Sequence, residues 1–199
     1  MTDGPLNLAI LLSGGGRTLQ NLIEEIEEGN LNAKIQVVLS STKNAGGLER
    51  ARRHDLPVKS VSRKAHPTDS SFSESVTNAL SEYPIDYILL AGFMNLYLFP
   101  KQYEGRVINI HPALLPKFGG RGFFGNRVHQ AVLRAGETES GCTVHYANHQ
   151  YDQGPIILQR RVPVLPEDTV ATLAQRVFEA ECRAFPDAVR KLVTKRNVN

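Results

Sequence analysis

The 199-residue chain has little cysteine, little net charge and no long apolar run. Its only cysteines, Cys142 and Cys182, are far apart and form no CxxC pair. That argues against a disulfide framework and a cysteine-based zinc site, and leaves two small buried hydrophobes. A net charge of +3 is too small to mark a nucleic-acid binder, although a pI near 8.9 suits an anionic small substrate. No run approaches the ~20 apolar residues of a membrane helix. The opening MTDGPLNLAILLSGGG lacks a basic region before its short apolar stretch, so it reads as a first strand rather than a signal peptide. A cytoplasmic protein without nucleic-acid or membrane partners is expected, and the sequence leaves monomer or homodimer open. No HExxH or comparable spacing occurs, so no metal is expected.

With 41% hydrophobic and 22% charged residues, the composition is that of a globular protein, and no repeat or linker divides it. One catalytic domain over 1–199 is expected. Apolar, β-rich runs recur at 6–12, 34–40, 56–61, 86–92 and 106–111, with helical spacing between them over 17–28, 47–54, 70–82 and 126–135. Two further strands, SGCTVHYA and PIILQRRVPV, flank the turn-rich NHQYDQG and suit an antiparallel pair. The pattern predicts an α/β fold with a Rossmann-like, mostly parallel twisted sheet, helices on both faces and an antiparallel C-terminal strand pair. A last helix is expected from near Asp168, with Thr169 as another cap, and the basic end RKLVTKRNVN reads as a solvated tail.

LAILLSGGGRTLQNLI is strand, glycine turn, helix, an arrangement that offers backbone N–H groups and a positive dipole end to an anion. No Lys-Ser or Lys-Thr closes the turn as a Walker loop requires. The second strand ends VVLSSTKN, without the acidic residue that holds a dinucleotide ribose. A phosphate or phosphoribosyl group on Gly15, Gly16, Arg17 and Thr18 fits what remains; a tight turn in which the glycines only relieve strain is the competing reading.

VINIHPALLPKF sets Asn109 and His111 on one face of a buried strand, at the end where parallel sheets collect ligands. Either residue left unpartnered would cost roughly 1 to 3 kcal/mol. Asp152, in the later bend, could reach back to His111, raise its pKa and orient it, while the Asn109 amide could donate to an oxyanion. The three provide proton transfer and oxyanion stabilisation without a nucleophile, which suits direct acyl transfer. His145 shares a strand face with Thr143 and could support the site, and His129 and His149 are possible ligand contacts.

These segments, with STKNAGGLERAR, LAGFMNLY and GCTVHYANHQYDQGPIILQRRVPV, resemble in order the phosphoribosylglycinamide formyltransferase family of folate-dependent formyltransferases. The resemblance implies formyl transfer from 10-formyltetrahydrofolate to the amino group of a phosphoribosyl amine, glycinamide ribonucleotide, in purine synthesis. It implies Asn109, His111 and Asp152 as the catalytic trio, and Gly15, Gly16, Arg17 and Thr18 at the phosphate. Glu181 would contact the ribonucleotide, and the folate pocket would be lined by Met94, Asn95, Leu96, Tyr97, Asn109, Asn148, His149, Gln150, Tyr151 and Asp152. Three features depart from the family: GGGRT replaces the usual Asn and Ser-Asn, the 118–128 loop is longer, and Phe178 stands where a polar ribonucleotide contact is usual. Another folate-dependent formyltransferase, a formyltetrahydrofolate hydrolase and a non-catalytic phosphoribosyl sensor are the alternatives.

Overall fold

The computed structural model describes residues 4–198, with side chains as far as Thr194. Its elements run β1 (Leu6–Leu12), α1 (Arg17–Glu27), β2 (Ala33–Ser40), α2 (Gly46–Arg53), β3 (Val58–Ser60), α3 (Asp69–Leu80), β4 (Tyr87–Leu90), β5 (Val107–His111), α4 (Asn126–Arg134), β6 (Glu139–Tyr146), β7 (Ile156–Pro163) and α5 (Val170–Val198). One seven-stranded sheet has the order β3-β2-β1-β4-β5-β6-β7. The pairs from β3 to β5 are parallel, whereas β5–β6 and β6–β7 are antiparallel. This is the expected mixed architecture.

Strand alternation divides the core in two. Leu6, Leu8, Ile10 and Leu12 of β1 face α1, α2, α4 and α5, while Ala9 and Leu11 face α3 and the segment around Phe93 to Tyr103. Because both faces are covered, the parallel strands read as nearly continuous apolar runs. β5 follows the same alternation: Ile108 and Ile110 enter the α1–α5 core, and Val107 enters the other. Asn109 and His111, in phase with Val107, therefore emerge on the α3 side, where the sheet's carboxyl edge opens. The antiparallel return sets His145 opposite Asn109 and Thr143 opposite His111, so four polar side chains share one patch.

The last helix corrects the expectation of a solvated tail. Thr169 caps it, its Oγ accepting from the Thr172 N–H at 3.2 Å. The helix then passes Pro186 and continues through Val198. Ala184, Phe185, Ala188, Val189 and Leu192 lie in the main core, and Arg190 pairs with Glu25 and Asp187. Asn199 and the side chains beyond Thr194 lie outside the described residues. Leu192 is only 2% exposed. Leu192→Ala should destabilise the protein by about 3 kcal/mol in urea unfolding, because truncation leaves a cavity; a change under about 0.5 kcal/mol would return this segment to the status of a tail.

Candidate active site

Asp152 is the hub of the polar patch. It adopts a left-handed conformation, φ 59°, in the bend between β6 and β7, which Asp tolerates better than most residues. Its Oδ1 accepts from Asn109 Nδ2 at 3.1 Å and its Oδ2 from the Gly120 N–H at 2.9 Å. His111 Nδ1 stands 3.4 Å from Oδ2, and His145 Nε2 stands 3.7 Å from Oδ1. The carboxylate is thus surrounded by donors and imidazoles from two strands and one loop.

Hydrogen-bond partners fix the tautomers. His145 Nδ1 is 2.8 Å from the Tyr146 carbonyl, which only accepts, so the proton sits on Nδ1. His145 Nε2 then accepts from Asn109 Nδ2 at 3.0 Å. Likewise, His111 Nε2 is 2.8 Å from the Phe118 carbonyl and must carry a proton. Both N–H bonds of the Asn109 amide are engaged in this state, and both nitrogens of His111 face acceptors.

Asp152 raises the His111 pKa, as expected, but it does not set the net shift. Burial is the largest influence and lowers it; Asp152 and the Phe118 carbonyl pull upward without overcoming that effect. His111 therefore rests predominantly neutral near pH 7. Burial alone would raise the Asp152 pKa, but a proton taken up by His145 or His111 and the Gly120 N–H outweigh it, holding the carboxyl below its ordinary range. An anionic Asp152 beside a neutral, buried His111 is a pair ready to accept one proton.

A cavity of about 530 Å³ opens over this patch. Asn109, His111, His145 and Asp152 line it, together with Met94, Asn95, Leu96, Tyr97, Asn148, Gln150 and Tyr151 and with Arg17, Thr18 and Glu181. Some candidates are placed differently. Gly15 and Gly16 are not among the lining residues. They back onto α2: the Gly15 carbonyl accepts from Arg50 Nε, and a Cβ on Gly16, at φ 72°, would lie 2.6 Å from the Gly47 Cα. Although Tyr97 borders the cavity, its hydroxyl is committed to Thr77 at 3.0 Å. His149 faces a second cavity, with Nε2 on the Phe99 carbonyl and its ring against Phe99.

Thr143 supports the patch from behind, donating to the Ala113 carbonyl and accepting from the Leu115 N–H and Gln159. It thereby holds the turn that follows His111. His129 lines the cavity at 5% exposure with Nδ1 unpartnered; burial and the nearby His111 lower its pKa. The Gly120 N–H has no signal in sequence, since a backbone donor can come from any residue but proline.

Glu181, on α5, faces the same cavity, and burial pushes its carboxyl up to about 7 while the Arg17 guanidinium pulls it down. Its proton is held more tightly in the folded than in the unfolded chain, so stability should fall as pH rises from about 4.5 through about 7. Glu181→Gln should flatten that slope in urea unfolding followed from pH 5 to 8. The buried histidines, with lowered pKa values, act in the opposite sense, so the wild-type and Glu181→Gln curves are compared directly. Parallel curves would refute the assignment.

The site and fold define a class, and comparison with known proteins agrees. The chain belongs to the formyl transferase family, whose model it matches over residues 6–189. It is 37% identical over 196 residues to the chloroplastic phosphoribosylglycinamide formyltransferase of Arabidopsis thaliana, covering 95% of this chain and 66% of that one. It is 40% identical over 185 residues to the human trifunctional purine biosynthetic protein adenosine-3, covering 92% of this chain and 18% of that protein. The chain thus spans just under two thirds of the plant relative and under a fifth of the human one. Among solved structures, glycinamide ribonucleotide transformylase 1 from Symbiobacterium toebii superposes with a TM-score of 0.87 at 36% identity, over 96% of this chain and 89% of that chain.

Proposed function

We propose that residues 1–199 form a single catalytic domain that transfers a formyl group from 10-formyltetrahydrofolate to the amino group of N1-(5-phosphoribosyl)glycinamide in purine biosynthesis. The observation that carries this reading is the shared cavity, lined by Asn109, His111 and Asp152 together with two sets of side chains, an apolar and amide set and the set Arg17, Thr18 and Glu181. The first set suits a pterin, which is flat and rich in hydrogen-bonding groups. The second suits a phosphorylated amine: α1 begins at Arg17 without a side-chain cap, so its first N–H groups and dipole are open to an anion. The names of the family and its relatives support a formyl group and a phosphoribosylglycinamide acceptor, and the folate donor rests on the sequence resemblance.

The chemistry follows from the hydrogen bonds. The acceptor amine attacks the formyl carbon and forms the new C–N bond, while the carbonyl electrons move to oxygen. That oxyanion takes the His111 Nε2–H that the Phe118 carbonyl now holds, together with one N–H of Asn109. The ammonium proton passes to the Asp152–His111 pair, where Asp152 stabilises the resulting imidazolium. Collapse restores the carbonyl and breaks the bond to the folate nitrogen, which takes that proton. No covalent enzyme intermediate is needed.

The test incubates the protein with 10-formyltetrahydrofolate and a panel of amines, and follows tetrahydrofolate release. Release dependent on glycinamide ribonucleotide supports the proposal. Release into water alone would favour a hydrolase, and release with another amine would reassign the acceptor.

A further inference from the structure

Two side chains that line the cavity, Arg17 and Phe178, come from opposite ends of the chain and touch. Arg17 opens α1, and its guanidinium carbon lies 3.7 Å from the centroid of the Phe178 ring on α5. One turn earlier on α5, Gln175 accepts from Arg17 Nη2 at 2.8 Å. The Gln175 amide is itself oriented, because its Nε2 donates to Glu179 at 3.0 Å. The guanidinium carbon is therefore held over a ring face, and the group is pinned at one nitrogen. No other hydrogen bond or ion pair reaches it among the described residues, although it lines the cavity.

Stacking on an aromatic face leaves the in-plane donors of a guanidinium free, and these match an oxyanion in two-point geometry. It also removes rotamer freedom that Arg would otherwise lose on binding its ligand. An arginine so placed, beside an uncapped helix start, makes no direct ion pair, and the Glu181 carboxyl that it influences lines the same cavity. We propose that Phe178 is a positioning residue that aims Arg17 at the phosphate of the acceptor, and so sets acceptor specificity from α5. This rests on the phosphoribosyl amine reading, and it explains why an apolar residue stands at position 178: the ring acts through Arg17 rather than by touching substrate.

Steady-state kinetics should separate the effects. Phe178→Leu should raise the acceptor KM about tenfold, with kcat within about twofold and the folate KM unchanged, while Phe178→Tyr, which keeps the stack, should stay near wild type. In an Arg17→Ala background, Phe178→Leu should add less than about twofold, because its partner is gone. Gln175→Met, at an exposed position, should raise the acceptor KM about threefold without disturbing packing, and serves if Phe178→Leu fails to fold. An undiminished Phe178→Leu effect without Arg17, or an effect on the folate KM or kcat instead, would overturn the proposal. Calorimetric binding of inorganic phosphate distinguishes this failure from failure of the functional reading. Should wild type transfer no formyl to the phosphoribosyl amine, the reading falls, yet phosphate binding weaker in Phe178→Leu or Gln175→Met than in wild type still supports the positioning role. Equal binding in all of them overturns it.

Discussion

Asp152→Asn is expected to lower formyl transfer by on the order of a thousandfold while leaving the fold intact and folate bound. Asn is nearly isosteric and can still accept from the Gly120 N–H, which reaches Asp152 Oδ2 at 2.9 Å. It cannot supply the negative charge that faces His111 Nδ1 at 3.4 Å. Burial already lowers the His111 pKa, so without that charge the imidazole would hold the transferred proton still less well. The loss should appear in kcat rather than in the folate KM, because the effect belongs to the step in which charge develops. His111→Ala should fall by a similar amount, and the double variant little further, since the pair works as a unit. Stopped-assay kinetics at pH 7, with folate binding measured by fluorescence, check both parts; turnover within about tenfold of wild type would remove Asp152 from the mechanism.

Gly154→Ala should produce the second large effect, a loss of about 3 kcal/mol of stability accompanied by a greater than proportionate loss of activity. A Cβ at this position would run into the carbonyl oxygen of Tyr146, a backbone atom that cannot rotate away. The same carbonyl accepts from His145 Nδ1, and that bond leaves His145 Nε2 free to accept from Asn109. A shift of Tyr146 would therefore pass through His145 to the oxyanion donor, in the same bend that carries Asp152. Urea unfolding gives the stability change, and kcat at a temperature where the variant is folded gives the rest. A variant that is destabilised yet fully active would show that the bend tolerates movement.

These predictions draw on features of unequal legibility. The β1–α1 unit and the Asn109–His111 pair can be read directly, because a two-residue period and a glycine turn before a helical stripe are local signals. The end of α5 is misread for a local reason: Pro186 and the clustered Lys and Arg residues interrupt the pattern, although Ala184, Ala188 and Leu192 carry the buried stripe onward. His149 and Tyr97 sit in segments that border the site, but their side chains turn to Phe99 and Thr77, and no periodicity specifies the direction of a bend. The charge state of His111 is hidden because an adjacent carboxylate is visible in sequence once its fold is guessed, whereas the depth of burial that opposes it is not. The Arg17–Phe178 stack joins the first helix to the last, and no local pattern records a contact between elements so far apart in the chain.

The helix that closes the main core also supplies one wall of the cavity, and this orders events during synthesis. A chain leaving the ribosome has exposed Asn109, His111 and Asp152 before any of α5 exists. Until Val170 and the residues after it dock, the sheet lacks its largest helical cover and the cavity lacks Ala174, Phe178 and Glu181. Closure of the cavity and completion of the hydrophobic core thus arrive together, so an unfinished chain carries Asn109, His111 and Asp152 without the enclosure in which the proposed transfer would take place.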